Sequence, residues 1–224
     1  MKFINLRYIL YFLIFTLLSS CSKPESIVGK IDGAWETQWE DYIGEDDVDD
    51  IRVTEVISFE TDDYTSFNNT GRFVQAFVGD VKYDDWEYEE TLEFEVTVTG
   101  TWSINNYNNI ELDYDLQSMN TATGQCDIEV DYTSAAIDLL SGNYLSALAS
   151  GLKGQSEIDK VNNKINNIVY KQVDRFFKDY IKELKHNKPA MKKIKIDTDV
   201  MECTINTGWL GRDAVYDLKL RAIE

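Results

Sequence analysis

The chain has 224 residues, with 22 Lys and Arg against 40 Asp and Glu and a formal net charge of −18. That length bounds it to one or two domains, and 5 Trp, 13 Tyr and 10 Phe in a 43% apolar chain supply a packed core, which excludes general disorder despite the charge. Non-specific nucleic-acid binding is excluded because neutralising phosphates takes clustered Lys and Arg, and the composition excludes collagen-like, coiled-coil and low-complexity classes.

At the N-terminus Lys2 and Arg7 precede an apolar run, Tyr8–Leu18, that ends in Leu18-Ser19-Ser20-Cys21 before the composition turns polar. This is the layout of a cleaved signal peptide. A helix over that run rises only about 16 Å, short of the roughly 30 Å hydrocarbon core, so a retained span is the weaker reading. Leu-Ser-Ser-Cys resembles the lipobox of bacterial lipoproteins, which implies cleavage after residue 20, lipidation of Cys21 and a short tether over 21–30. Several acyl chains at roughly 0.8 kcal/mol per CH₂ hold a protein on a membrane stably. Ser22, not Asp, follows the Cys, and in lipoproteins of two-membrane envelopes that implies the outer membrane. Residues 1–20 carry two bases and no acid, so the mature chain has a net charge of −20.

From Ile31 to Tyr132 the pattern is strand after strand. Over Thr91–Ile104, Leu92, Phe94, Val96, Val98, Trp102 and Ile104 alternate with polar residues, the period of a half-buried strand. Asn105–Asn109 then predicts a turn, and Ile110, Leu112, Tyr114 and Leu116 resume the alternation, so a β-hairpin is expected. Further strands are predicted over Ala34–Asp41, Ile51–Glu60, Gly71–Val78 and Gly124–Tyr132, joined by acidic or Asn-rich loops, Glu40–Asp50 and Asp80–Glu90 among them.

The period changes at Ser134. Ser134–Ser150 is Ala- and Leu-rich with helical spacing, and from Ser156 to Lys185 apolar residues recur every three or four positions, which predicts a long amphipathic helix with Ser156 as N-cap and Pro189 as its stop. Two last strands follow, Met191–Thr207, with a bulge or bend near Thr198–Met201, and Ala214–Ile223. With strands on both sides of a helical insertion at 134–188, the fold expected of 31–224 is mainly β, an antiparallel up-and-down barrel in which the last strand pairs back to the first.

An early Gly33-Ala34-Trp35, an antiparallel meander and Gly100-Thr101-Trp102-Ser103-Ile104 resemble the lipocalin-like domains of small bacterial lipoproteins. The resemblance covers roughly 30–132 and 191–224. It implies that Trp35 closes the narrow end of the barrel, with an Arg from the last strand packed on its indole; Arg221 holds that position and Arg212 is second. A guanidinium over an indole contributes roughly 0.5–2 kcal/mol. The helical insertion and the acidic loops depart from the family pattern.

Catalytic chemistry is largely absent from the sequence. The one His, His186, lies at a helix end between Lys185 and Asn187. There is no phosphate loop, nucleophile elbow or Cys-x-x-Cys, and no ligand set for zinc or haem. No Asp-x-Asp-x-Asp-Gly occurs for Ca²⁺. Among 40 acids, some pair meets a glycosidase spacing by chance. Neither an enzymatic activity nor a metal or cofactor is assigned. Cys126 and Cys203 share faces with apolar neighbours and are either a disulfide or two buried thiols.

Charge is unevenly distributed: residues 32–95 carry 21 acids and 3 bases, and residues 171–195 carry 9 bases and 3 acids. The basic helix end lies against acidic sheet or loops, or the acidic face awaits a basic partner, with Trp86 and Tyr88 as the contact residues. The function expected is that of a non-enzymatic, membrane-anchored lipoprotein of the bacterial envelope, binding a small apolar or amphipathic ligand among inward residues Phe94, Val96, Leu112, Tyr114 and Tyr216. The alternative is a packed barrel that uses its acidic loops and helical insert to bind another envelope protein. Cys21→Ser is expected to abolish incorporation of labelled palmitate and leave the chain unprocessed or soluble; label retained in that variant would refute the anchor.

Overall fold

A computed structural model describes residues 30–61, 70–85, 88–105, 109–128, 144–207 and 214–222. The elements are β1 (Gly33–Glu45), β2 (Val48–Thr61), β3 (Thr70–Asp84), β4 (Glu89–Ile104), β5 (Ile110–Thr123), a helix α1 (Tyr144–His186), β6 (Met191–Asp197), β7 (Val200–Thr207) and β8 (Ala214–Ala222). The fold is mainly β, with antiparallel strands in sequence order around one long helix.

Strands β1 to β5 form the continuous part of the sheet, with registers such as Val56↔Ala76 and Ala76↔Thr97 running across it. Two edges are thin: β5 meets β6 at Ile110↔Met191 alone, and β8 meets β1 at Trp35↔Ala222 and Glu36↔Arg221. The contact of the last strand with the first is thus a short seam, and the sheet does not close as a continuous ladder.

The acidic loops are shorter than the sequence suggested. β1 runs to Glu45 and β2 starts at Val48, because Asp46 and Asp47, at φ 51° and 64°, make a two-residue turn of the kind that fits the twist of paired strands. β3 likewise extends to Asp84 and β4 back to Glu89, so most of Asp80–Glu90 is ladder. Leu116 does not continue the inward alternation of β5: the register jumps between Thr99↔Asp115 and Thr97↔Asn120, and Leu116 is exposed in the bulge. Ser118 holds the bulge, its hydroxyl accepting from the Thr99 amide at 2.9 Å and donating to the Asp115 carbonyl at 2.7 Å.

Three further expectations are corrected. Residues 124–128 form no strand and pack instead on α1; the rest of Gly124–Tyr132 lies outside the described residues, as does Ser134–Asn143. Ser156 is not an N-cap, since α1 begins at Tyr144 and passes through it. The bend foreseen near Thr198–Met201 is a full reversal: Thr198, at φ 50°, starts the turn of a β6–β7 hairpin, which the sequence hides because both arms are apolar on alternating positions.

The core lies between the concave face of the sheet and α1. Ile165, Val169, Val173, Phe176, Phe177, Ile181 and Leu184 are buried at spacings of three and four, the stripe of a helix with one apolar side. Phe177 fits against Phe77 and Phe94, with ring centroids at 4.6 and 5.5 Å. At the far end Trp35 donates to the Ile31 carbonyl at 2.8 Å, and Trp102 stands edge-on to Phe59 at 5.9 Å. Gly71 admits the Trp102 indole: a Cβ there would run into the Glu60 carbonyl and meet Trp102 Nε1 at 2.6 Å. Phe177→Ala is expected to cost about 3–5 kcal/mol and to lower the melting temperature by roughly 10 °C, whereas Tyr170→Ala, on the exposed side of α1, stays within about 0.5 kcal/mol. Calorimetry of both variants checks this.

Candidate functional site

The concave face of the sheet is where a ligand was expected, and the structure brings Phe94, Val96, Leu112 and Tyr114 together there, all buried. The backbone of Tyr216 pairs with Ile205 on β7; its side chain lies outside the described residues. The space these residues surround is filled by α1. Among the described residues, a cavity of about 10 Å³ lies beside them, lined by Ile57, Leu112, Tyr114, Leu184, Met191 and others. That is room for about one water molecule.

One carboxyl borders the cavity. Glu55 is 2% exposed, in line on β2 with Ile51, Val53, Ile57 and Phe59, and so faces inward by strand geometry alone. Its two oxygens accept from Trp39 Nε1 at 2.9 Å and Gln75 Nε2 at 2.6 Å, and Gln75 Oε1 accepts from the Tyr114 hydroxyl at 2.7 Å. No cation takes part in that chain of bonds. Burial pushes the Glu55 carboxyl above its ordinary range, against the pull of its two hydrogen bonds. Burial also raises Tyr114.

This network couples sheet to helix through Trp39. The indole that donates to Glu55 stacks on Phe176 at 6.3 Å and tilts against Tyr180 at 5.8 Å. Below it Lys185 reaches from α1 to the Tyr114 carbonyl at 2.7 Å and to Asp113 at 3.3 Å. Above it Arg175 bridges to Glu45 at 2.6 Å. The basic end of the helix thus lies against acidic sheet, as one of the two charge readings expected. Both bridges are exposed, so each contributes about 0–1 kcal/mol.

The other expected site residues disperse. Trp35 is buried at the opposite end, and the Arg221 backbone lies across from Glu36; the Arg221 side chain, Arg212, Trp86 and Cys21 lie outside the described residues. Tyr88 is half-buried and packed on the core, with its amide donating to Asp85 Oδ1 at 2.7 Å. Cys126 and Cys203 are both buried and are not joined in a disulfide: Cys126 packs on α1, its amide donating to Asn166 Oδ1 at 2.7 Å, while Cys203 lies on β7 opposite Leu218. Burial raises the Cys126 thiol, which leaves it little thiolate for reaction. Exposed His186 ends α1, and no group of His, Cys, Asp or Glu among the described residues could hold a metal ion.

Sequence reasoning missed Glu55 and Gln75. Period two places both inward, Glu55 between Val53 and Ile57 and Gln75 between Phe73 and Phe77, and a polar residue on an apolar face is the signal that finds them. No family model, curated protein or solved structure matches the chain.

Because the folded state raises the Glu55 pKa, the neutral carboxyl contributes stability that is full below the unfolded value of about 4.3. That contribution is lost as pH rises through the native value, with a slope of at most about 1.4 kcal/mol per pH unit. Glu55→Gln keeps the volume, and Gln75 can turn its amide over to accept from the new Nε2, with the Tyr114 hydroxyl then accepting in its turn. In urea titrations from pH 4 to 8, wild type is expected to lose stability relative to Glu55→Gln as pH rises. Parallel curves would show that Glu55 titrates as it does in the unfolded chain.

Proposed function

We propose that the chain is a membrane-anchored envelope lipoprotein, tethered through Cys21 to the outer membrane, whose body is a lipocalin-like barrel that works by binding another envelope protein on its outside. The observation that carries this reading is the helix on the concave face: α1 buries its apolar side where a lipocalin-like barrel would hold a ligand, and among the described residues the cavity beside Glu55 measures about 10 Å³. The up-and-down strand order and the β1–β8 seam at Trp35 support the barrel. The Leu-Ser-Ser-Cys ending of the leader supports the anchor. We read the body as a binding module and not an enzyme, since its one His is exposed at a helix end and Glu55, the buried acid among the described residues, is bonded to amide and indole donors.

The small-ligand reading keeps one observation in its favour. Glu55 is a buried carboxyl with aromatic neighbours and a cavity beside it, the chemistry that holds an amine once there is room for one. For such a ligand α1 would have to withdraw.

The two readings separate in one experiment. Residues 22–224, purified gently from a native or near-native host, are expected to yield no stoichiometric small molecule to mass spectrometry of an organic extract, and to leave an apolar fluorescent dye unbound below the melting transition. A compound recovered at one per chain would transfer the function to the interior and name its substrate class.

A further inference from the structure

Among the described residues, two large apolar side chains exposed on the outside of this sheet, Val74 and Val78, share one strand, while Tyr42 on β1 and Leu116 on β5 lie apart from them. Side chains of β2, β3 and β4 that point away from α1 form a block without charge: Thr54, Val56 and Ser58 stand beside Val78, Ala76 and Val74, with Thr97 beyond Ala76 and Thr99 beyond Val74. Val74 is 49% exposed and Val78 46%. In a chain of net −18 such a window is improbable as a solvated surface, and contiguous exposed apolar area on a soluble domain marks a contact site.

The surroundings say what fits there. Glu36 lies across from Val56, Glu95 across from Val78 and Glu93 across from Asp80. Of the two bases at the margins, Arg52 is held by Asp80 at 2.7 Å, and Arg72 sits opposite Glu60. The window therefore has an acidic rim. Next to it the surface sinks into a concavity of about 670 Å³ lined by Val78, Gly79, Glu93, Glu95 and Ala122. Gly79 lies at its edge, where a Cβ would run into the Arg52 carbonyl, so only glycine lets β2 and β3 approach so closely.

We propose that the outer face of β2–β4 is the docking surface for a basic polypeptide surface of a second protein, with apolar side chains of that partner seated on Val74 and Val78 and its Lys or Arg meeting Glu36, Glu93 and Glu95. This rests on the protein-binding reading above and deepens it by naming the face and the partner's charge. An apolar centre with a charged rim is the usual anatomy of a specific interface, and opposite charge steers the encounter. A second copy of this chain is disfavoured, since it would set acidic rim against acidic rim.

The test uses the full chain, lipid-anchored in its native host. Val78 or Thr97 is replaced by the photo-crosslinking amino acid p-benzoylphenylalanine, with the same replacement at exposed Asn167 of α1 as comparison. Illumination is expected to join positions 78 and 97, and not 167, to a second protein whose crosslinked segment is net basic. Glu93→Lys with Glu95→Lys is expected to cut the yield from position 97 about tenfold, and Val74→Glu to do the same, with melting temperatures unchanged to show that the fold persists. Products from position 167 alone would overturn this surface while leaving the protein-binding reading intact. Products joining 78 or 97 to an acidic segment, to lipid or to a second copy would also overturn it. No product from any of the three positions would sink both.

Discussion

The aromatic and aliphatic seam along α1 is the contact on which the rest of the structure depends. A sheet this curved has a concave face that must be covered, and residues from β1 to β5 present Trp39, Ile57, Phe77, Phe94 and Leu112 to it. Without the helix those side chains would line an open trough. With it, Phe177 takes the centre, Trp39 packs on Phe176 and Tyr180, and the thin edges of the sheet become tolerable. Among the described residues, strands β6 to β8 join β1–β5 by three register pairs, Ile110↔Met191, Trp35↔Ala222 and Glu36↔Arg221. Hydrogen bonds alone would hold so narrow a junction poorly, whereas Met191, Met201, Cys203 and Ile205 anchor it by burial in the same core.

Glu55 is the exception inside that seam, and its energetics run against stability. A buried carboxyl with no cation carries a desolvation penalty of several kcal/mol if ionised, and its two hydrogen bonds offset only part of it. The fold lowers the penalty by favouring the proton. What the network gives in return is direction: Trp39 can donate to Glu55 in one orientation only, which presents its face to Phe176 and Tyr180, and Gln75 is held between Glu55 and Tyr114. Apolar packing by itself tolerates sliding of one residue past another, whereas a satisfied polar chain in a low-dielectric core fixes register.

Periodicity made much of this legible. The strand over Thr91–Ile104 and its partner from Ile110 follow from period two, and the buried face of α1 follows from the three-and-four spacing of Ile165, Val169, Val173, Phe177, Ile181 and Leu184. Where the reading failed, a local conformation overrode the pattern. Asp46 and Asp47 read as a solvated acidic loop, yet their ability to take positive φ makes them a tight turn, and Thr198, also at positive φ, turns a stretch that reads as one bent strand into a hairpin. The placement of α1 was not legible at all. An amphipathic helix needs an apolar surface, but nothing in its own sequence says whether that surface is the outside of a barrel or the inside. Glu55 and Gln75 were legible and overlooked, because an acid in a chain with 40 of them draws no attention until its neighbours two residues away are noticed.

The position of α1 also decides where activity is affordable in free energy. Exposing its seven buried apolar side chains to open the interior costs on the order of 10–20 kcal/mol, at roughly 1.5–3 kcal/mol each and as an upper estimate. A drug-sized ligand of some thirty atoms returns about 9 kcal/mol at roughly 0.3 kcal/mol per atom. An internal ligand would therefore have to replace the helix's contacts nearly one for one, with Glu55 as its only strong polar anchor among the described residues. The outer face asks for no such rearrangement: Val74 and Val78 already stand in solvent, their rim is charged, and covering them releases water without displacing protein. Between two sites of comparable chemistry, the one that binds without unfolding anything is favoured, and that difference in cost is the argument for the docking surface we propose on the outside of this sheet.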